Sequence, residues 1–218
     1  MIGDDCLESR SGVEPVREGD VPSILCVTNR KLCKDDFLGR LARIASFRPA
    51  GIVLREKDLN EVEYEALARQ AIECCGETPL VIQGHPKVAR DLGCMHLHLP
   101  LCQLEALPAK ARIGWEQLST SCHSLEEARR AVALGCTRII VGHIFDTHCK
   151  PGLPPRGLSF LQNVCAEVDV AVYAIGGITP GRLAAVRKAG AAGACMMSAF
   201  MQADDLSSLF EGQGNPHR

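Results

Sequence analysis

Short apolar segments recur along the chain at fairly even intervals, and amphipathic segments separate most of them. Eight of the apolar segments predict β-strands, at residues 23–28, 51–54, 79–82, 94–99, 117–121, 138–142, 171–176 and 193–198. Six of the intervening segments carry apolar residues at a spacing of three to four, which is typical of helices, at 34–47, 60–75, 85–93, 124–135, 157–168 and 179–190. Continuous apolar strands that alternate with helices indicate a parallel sheet buried on both faces.

Polar residues with helix-capping chemistry support several of these boundaries. Asn60, Ser124 and Thr179 are candidate N-caps, and Pro180 takes the first helical position after Thr179. Residues 124–127 also match the capping-box pattern. The segment 100–115 is weakly patterned and predicts an irregular loop or a short helix, and the eighth helix is expected to be short.

Eight strands in 218 residues favour one α/β domain, a single (β/α)8 TIM barrel. A doubly wound sheet is the alternative, but no GxGxxG motif follows the first strand. The predicted organisation is a flexible N-terminal tail at 1–20, the barrel at 21–212 and a frayed C-terminal tail at 213–218.

Composition and charge narrow the class of protein further. A hydrophobic content of 46% supports a sizeable core, and a net charge of −2 gives no electrostatic reason to bind nucleic acid or a membrane surface. The N-terminus lacks the basic start and apolar centre of a signal peptide. The twelve cysteines are therefore expected to be free thiols in a cytoplasmic protein that uses neither nucleic acid nor a membrane as a partner.

The polar stretch VGHIFDTHCKPGLPPRG (141–157) directly follows a predicted buried strand. A metal site, a pyrophosphate clamp and a pocket for a small phosphorylated molecule would all use such a loop. In a TIM barrel the carboxyl ends of the strands carry the chemistry. The polar or small residues predicted there are Thr28, Asn29, Arg55, Glu56, Lys57, Gln83, His98, Ser121, His123, Gly176, Gly177 and Ser198.

Two histidines on the fourth strand raise a zinc alternative. His96 and His98 lie on one face of that strand, as paired histidines do in metal hydrolases, and His148 and Cys149 lie in the loop after the sixth strand. Those hydrolases place the pair early and add further ligands at later strand ends, so we predict no metal. The roles of these four residues stay open, with a packed thiol favoured for Cys149.

Several motifs in register resemble the thiamine phosphate synthase/TenI superfamily over about residues 23–201. They are LREKD (54–58), SCHSLEEA (121–128), GHIFDTHCKPGLPPRG (142–157), AIGGITPGRL (174–183) and AGAAGACMMSA (189–199). The resemblance implies a (β/α)8 barrel, in agreement with the hydrophobic pattern.

The sequence departs from the synthase branch, which joins a pyrimidine pyrophosphate to a thiazole phosphate and needs magnesium. Val53 replaces the glutamine of the QLREK pattern. Gln83 and Gly84 replace an Asn-Asp pair, and residues 98–101 replace the acidic GQED segment. Because magnesium prefers carboxylate oxygens, this comparison predicts no metal and no cofactor, and argues against transferase activity.

The loop 142–150 is more similar to the TenI branch, which is a thiazole tautomerase. The resemblance therefore implies an isomerase that aromatises a carboxythiazole phosphate through histidine-mediated proton transfer. Two alternatives stay open: a thiamine phosphate synthase, and a non-catalytic regulatory protein that binds a thiazole phosphate or thiamine phosphate. The expected partner is a phosphorylated thiazole.

His123 is the catalytic candidate that this resemblance implies. An imidazole suits proton transfer near neutral pH, although the residue would also sit naturally beside a helix N-cap. The phosphate-binding candidates are Gly176, Gly177, Met197 and Ser198, at loops that expose backbone N–H groups, with a plain tight turn as the alternative.

The substrate-binding candidates are Arg55, Glu56, His143, Thr147 and Lys150. Lys150 and Thr147 would hold a carboxylate or phosphate by charge-assisted bonds, but Lys150 also suits a solvated loop. Arg55 and Glu56 are equally consistent with an internal ion pair. A homo-oligomer such as a dimer is expected, because a short eighth helix would leave apolar surface open.

Overall fold

Eight parallel strands close into a barrel in the computed structural model, which describes residues 23–147, 149 and 152–210. The strands are β1 Ser23–Val27, β2 Gly51–Leu54, β3 Leu80–Gln83, β4 His96–Pro100, β5 Gln117–Cys122, β6 Arg138–Gly142, β7 Ala171–Ile175 and β8 Gly193–Met196. Each strand pairs with the next in sequence, and β8 pairs with β1 to complete the ring. The predicted (β/α)8 barrel is confirmed, and the doubly wound alternative is wrong because the sheet is closed.

The helices alternate with the strands and cover the outside of the barrel. They are α1 Phe37–Ser46, α2 Glu61–Cys75, α3 Pro86–Asp91, α4 Leu101–Ala106, α5 Leu125–Ala133, α6 Gly157–Glu167, α7 Leu183–Lys188 and α8 Ser198–Gln202. The weakly patterned segment 100–115 holds the short α4 and a 3-10 turn at Ala109–Arg112. All six helical segments predicted from the spacing contain a helix, usually a few residues shorter than predicted.

Two of the three predicted N-cap residues accept a capping hydrogen bond through their side chains. The Asn60 side chain accepts from the backbone N–H of Glu63, whose carboxylate accepts from the Asn60 N–H in return. Ser124 accepts from the backbone N–H of Glu127. Thr179 makes no capping hydrogen bond, and a 3-10 turn at Pro180–Arg182 precedes α7 there. Thr179 takes the N-cap position of that 3-10 turn, with Pro180 directly after it as predicted, but the prediction that its side chain caps a helix is wrong.

Both faces of the strands are buried, which explains their continuous apolar sequences. One cluster fills the barrel interior with the side chains of Leu25, Val27, Val53, Val81, Ile140, Tyr173 and Cys195. The alternate strand residues point outward and pack against the helices, for example Ile52, Ile139 and Val172. The interior is thus a packed floor beneath the carboxyl ends of the strands, not an open channel.

The surface beside α8 is covered within the chain. Leu206 and Leu209 are buried, and the ring of Phe210 stacks on Phe47 at a centroid distance of 5.0 Å. The segment after α8 therefore covers part of the apolar surface expected next to this short helix, while Phe47 is still 38% exposed. A homo-oligomer stays a prediction.

Some expectations fall on other parts of the chain. The tails predicted at 1–20 and 213–218 lie outside the described residues.

All cysteines within the described ranges are free thiols, and burial raises the pKa of Cys122, Cys136 and Cys195 to about 12. No helix within 23–147 or 152–210 is long and apolar enough to cross a membrane.

Candidate active site

A pocket of about 400 Å³ opens at the carboxyl ends of the strands. Its floor is formed by inward-facing residues of the strands, and its walls come from the strand ends and the loops that follow them. The floor contains Val27, Val53, Ile140 and Cys195, and the walls contain Arg55, Lys57, Gln83, His98, Ser121, His123, His143, Thr147, Cys149, Gly176, Gly177, Met197 and Ser198. The volume matches the size of pockets that bind small heterocycles.

Two cationic side chains line the pocket after β2. Val53, Arg55 and Lys57 alternate along the chain, and all three line the pocket. The backbone N–H of Arg55 donates to Thr28 Oγ1 at 2.9 Å, and its guanidinium Nη1 lies 4.0 Å from Met197 Sδ. No aspartate or glutamate is among the described lining residues, so this wall favours an anionic ligand.

Glu56 lies outside the pocket lining and is 3% exposed. Its carboxylate accepts from the Thr28 hydroxyl at 2.7 Å and from the backbone N–H of Arg30 at 3.0 Å. It also pairs with the Arg30 guanidinium at 3.2 Å. The ion pair predicted between Arg55 and Glu56 is therefore wrong: Glu56 turns away from its neighbour and holds the loop after β1 against β2.

His123 lies between the end of β5 and the start of α5, and it lines the pocket. Its ring Nδ1 is 2.7 Å from the carbonyl oxygen of Gly142, so Nδ1 carries a proton that it donates. The backbone N–H of His123 donates to the carboxylate of Glu127 on α5. In the neutral ring Nε2 is then the unprotonated nitrogen, available to accept a hydrogen bond from a ligand.

The loop after β6 supplies a second wall. His143 is buried, and its Nε2 donates to the carbonyl oxygen of Leu153 at 3.1 Å. Thr147 lines the pocket, and its hydroxyl oxygen accepts from the backbone N–H of Cys149 at 3.3 Å. Cys149 is exposed, so the packed thiol expected there is wrong. Lys150 and His148 lie outside the described residues.

The loops after β7 and β8 meet at the rim of the pocket. Gly176 and Gly177 both have positive φ, of 98° and 64°. A Cβ at Gly176 would collide with His143, and one at Gly177 with the backbone of Asp146. The glycines are thus required first by the close packing of the β6 and β7 loops. Ser198 begins the five-residue α8 and lines the pocket with Met197.

The paired histidines of β4 do not converge on one site. His98 is buried, with Nδ1 2.9 Å from Ser119 Oγ and Nε2 3.0 Å from Ser121 Oγ. His96 Nε2 instead lies 3.3 Å from a carboxylate oxygen of Glu116. Within the described residues no three His, Cys, Asp or Glu side chains are grouped so that they hold a metal ion.

Lys57, Gln83 and Ser121 also line the pocket; the sequence placed them at strand ends but gave them no catalytic or binding role. A spacing of two residues from a pocket-facing side chain predicts a second one on the same side of the chain. Lys57 follows Arg55, and Ser121 precedes His123, at this spacing. The catalytic, substrate-binding and phosphate-binding candidates that line this pocket are Arg55, His123, His143, Thr147, Gly176, Gly177, Met197 and Ser198.

Fold and site together define a (β/α)8-barrel protein with a pocket at the carboxyl ends of the strands and a cationic wall after β2. The sequence profile of the thiamine monophosphate synthase family matches residues 24–200. The chain belongs to this family, and the superfamily resemblance expected from its motifs is confirmed.

Relatives with established sequence similarity are named as synthases. A putative thiamine-phosphate synthase 2 from Aquifex aeolicus is 31% identical over 185 residues, which cover 84% of this chain and 100% of the relative. A thiamine-phosphate synthase from Syntrophomonas wolfei is 32% identical over 189 residues, covering 84% and 90%. Thiamine phosphate pyrophosphorylase from Pyrococcus furiosus shares the fold with a TM-score of 0.75 at 23% identity, covering 88% of this chain and 93% of that one.

These relatives overturn the expected enzyme class. The sequence motifs indicated an isomerase and disfavoured a transferase, whereas the relatives at about 30% identity are named for a synthase. The isomerase interpretation is wrong. Its basis was the short loop 142–150 and one histidine, while the similarity to the synthases extends over most of the barrel.

Proposed function

We propose that this protein is a transferase of thiamine biosynthesis that joins a pyrimidine pyrophosphate to a thiazole phosphate, as its relatives' names indicate for those proteins. The observation that carries the proposal is the pocket wall after β2. Arg55 and Lys57 present two cationic groups above an apolar floor, in a lining without carboxylates among its described residues. Two phosphorylated heterocycles need such a combination of cations and apolar surface.

The reaction makes one bond and breaks one bond. The thiazole nitrogen supplies an electron pair to the carbon that bears the pyrophosphate, and the carbon–oxygen bond breaks. Pyrophosphate leaves with that electron pair, so negative charge grows on its bridging oxygen. Cations fixed near that oxygen stabilise the transition state more than the ground state, and Arg55 and Lys57 are the described residues that supply them.

The remaining lining residues orient the thiazole phosphate in this proposal. Backbone N–H groups at Gly176, Gly177, Met197 and Ser198 bind its phosphate at the rim formed by the β7 and β8 loops. Thr147 contributes from the loop after β6, and Lys150, which the sequence predicts to bind substrate, follows it in the chain. His123 has its Nδ1 proton committed to Gly142, so it acts as a hydrogen-bond acceptor for a bound ring.

Magnesium, which the synthase branch needs, has no matching donor set among the described residues. The lining offers hydroxyl, amide, imidazole and cationic groups but no carboxylate, and Mg²⁺ prefers carboxylate oxygens. The only buried carboxylate near the mouth, Glu56, is saturated by Thr28 and Arg30 among the described residues. The described residues therefore give magnesium no protein ligands in the proposed reaction.

The test is a coupled assay with both substrates, with and without magnesium, that follows pyrophosphate release and formation of thiamine phosphate. The proposal expects turnover, and Lys57→Ala should lower kcat/KM at least about tenfold through lost charge stabilisation. Lys188→Ala is the matched control, since Lys188 ends α7 on the far side from the pocket. Absence of both products under all conditions excludes the transferase.

A second candidate is a non-catalytic protein that binds a thiazole phosphate or thiamine phosphate. The specific observation in its favour is the absence of carboxylates from the described lining. Isothermal titration calorimetry with thiazole phosphate separates the two functions: tight binding without any product in the coupled assay identifies the binding protein.

A further inference from the structure

One buried side chain bridges two neighbouring strands at their carboxyl ends. Tyr64 on α2 is fully buried, and its hydroxyl donates to the carbonyl oxygen of Leu54, the last residue of β2, at 2.6 Å. The same hydroxyl accepts from the backbone N–H of Gln83, the last residue of β3, at 3.0 Å. The last pair in register between these strands is Leu54 with Ile82. We call the hydroxyl and its two backbone partners the Tyr64 clamp.

Each backbone partner in the clamp belongs to the peptide group directly before a pocket-lining residue. The Leu54 carbonyl belongs to the peptide group that joins Leu54 to Arg55, and the N–H of this group donates to Thr28 Oγ1 at 2.9 Å. The Gln83 N–H belongs to the peptide group that joins Ile82 to Gln83. Because a peptide group is planar, fixing its atoms limits the directions in which the next side chain can point. The clamp therefore acts on the side chains of Arg55 and Gln83, which both line the pocket.

The Tyr64 hydroxyl is itself held in one place. The ring of His85, directly before α3, stacks on the Tyr64 ring with a centroid distance of 4.0 Å. The reciprocal cap between Asn60 and Glu63 fixes the first turn of α2 next to it. Burial raises the pKa of Tyr64, so the hydroxyl keeps its proton and can donate. Its one proton and an acceptor lone pair are thus committed to two different strands.

We propose that Tyr64 is a positioning residue of the pocket, because its hydroxyl holds Arg55 and Gln83 in the relative placement that lets one anionic group contact both. Tyr64 is not among the described lining residues, so it acts through these two neighbours and touches no ligand. Arg55 contributes a charge and Gln83 an amide donor, and both require a fixed geometry to bind the same group.

The inference rests on the proposed function for its ligand, the pyrophosphate group, but it does not require turnover. Pyrophosphate binding that depends on the Tyr64 hydroxyl supports the clamp even if no thiamine phosphate is formed. Pyrophosphate binding that ignores the hydroxyl removes the clamp and leaves the transferase untouched. The two ideas therefore fail separately.

The first measurement needs no ligand. Tyr64→Phe keeps the ring and its stack on His85 and removes only the hydroxyl, so hydrogen exchange at the Gln83 amide, followed by NMR, reports the loss of the clamp. The exchange rate should rise at least about fivefold, the value of one hydrogen bond. An unchanged rate shows that the hydroxyl does not hold Gln83 and overturns the proposal.

The second measurement is isothermal titration calorimetry with inorganic pyrophosphate, with and without magnesium. In Tyr64→Phe the Kd should rise about fivefold relative to the wild type, because Arg55 and Gln83 are no longer held together. An unchanged Kd overturns the positioning role. If the wild type binds no pyrophosphate under either condition, the inference and the proposed function are both wrong.

Thr78→Val separates positioning from a general loss of stability. Thr78 is also buried, and its hydroxyl donates to the carbonyl oxygen of Ala45 at 3.1 Å, at the amino end of β3 away from the pocket. This variant also loses one buried bond from a side chain to the backbone, so urea unfolding should show a loss of stability similar to that in Tyr64→Phe. Its Kd for pyrophosphate should stay at the wild-type value. An equal rise in Kd in both variants overturns the positioning role.

Discussion

Two of the pocket histidines, His123 and His98, are held by different kinds of ring partner. His123 donates from Nδ1 to a main-chain oxygen, that of Gly142, and lies only partly buried at the start of α5. His98 is held between two hydroxyl groups inside the barrel and is 4% exposed. Full burial penalises the charged form of an imidazole, so His98 stays neutral where an exposed histidine would gain a proton.

Burial, with a smaller contribution from the positive charge of Arg138, lowers the pKa of His98 from 6.5 to about 4. Between these values the unfolded chain binds a proton that the folded protein does not, so stability falls as the pH drops from 6.5 to 4. The loss is about 3 kcal/mol over that window. Urea unfolding of the wild type and His98→Gln at pH 7, 6, 5 and 4 measures it.

The variant should lack this component of the pH dependence. His85, whose pKa burial also lowers, contributes in the same direction and is removed separately in His85→Gln. A ring titration of His98 with a midpoint near 6.5 would contradict the prediction.

At the level of elements, the first residues of the helices and the close contacts between loops determine the positions of the residues that line the pocket. α2 begins with a reciprocal pair of hydrogen bonds between Asn60 and Glu63, and α5 begins with Ser124 directly after His123. The loops after β6 and β7 cross so closely that only glycine fits at 176 and 177. Local chemistry in these few positions therefore sets the geometry of the lining.

The helix caps predict a graded effect on stability. Asn60→Ala should lower the free energy of unfolding by about 1 kcal/mol, because it leaves the Glu63 N–H without its cap. Ser124→Ala should have a similar effect through the N–H of Glu127. Thr179→Ala is the control, since Thr179 makes no capping hydrogen bond. Denaturant unfolding checks the order, and a loss at Thr179 as large as at Asn60 would contradict it.

Gly177→Ala should destabilise the protein by about 2 kcal/mol or more. The residue has φ of 64°, where alanine is strained, and its new Cβ would collide with the backbone of Asp146. Gly181→Ala is the matched control, because a Cβ there meets nothing within 4 Å. Thermal unfolding of both variants measures the difference, and equal melting temperatures would refute the close crossing of the two loops.

Over the whole molecule, closure of the sheet brings eight strand ends to one rim. β8 pairs with β1 at Ser23↔Gly193, so residues far apart in sequence share one pocket. Arg55 from the end of β2 thereby lies beside Met197 from the end of β8. Changing the charge of a residue at the end of one strand therefore alters the binding of a ligand that contacts mainly the end of another strand.

Inorganic pyrophosphate should stabilise the folded protein, because its charge matches the cationic wall of the pocket. At a concentration of about 100 times Kd the expected gain is about 2.7 kcal/mol, and added salt should weaken it. Thermal shift assays measure the effect in the wild type, in Lys57→Ala, where it should shrink, and in Lys188→Ala, where it should persist. Stabilisation of the same size in Lys57→Ala would show that pyrophosphate binds elsewhere.

The sequence predicted the barrel because both faces of each strand are buried, which leaves continuous apolar runs such as RIIVG at 138–142. It placed His123 and Gly176 at strand ends for the same reason. The hydrogen-bond and ion-pair partners of individual side chains could not be predicted from the sequence. Glu56 pairs with Arg30, 26 positions earlier, and His98 meets Ser119 and Ser121 only through the register of β4 with β5.

The stack of Phe210 on Phe47 has a practical consequence for how the protein is handled. Phe47 follows α1 at the end of the barrel where β2 begins, and Ser23 opens β1 on that same end. The first and last described residues thus lie on the face opposite the pocket. A reporter domain or a surface tether joined before Ser23 or after Phe210 is anchored away from the mouth, so single-molecule or immobilised assays can leave ligand entry unobstructed.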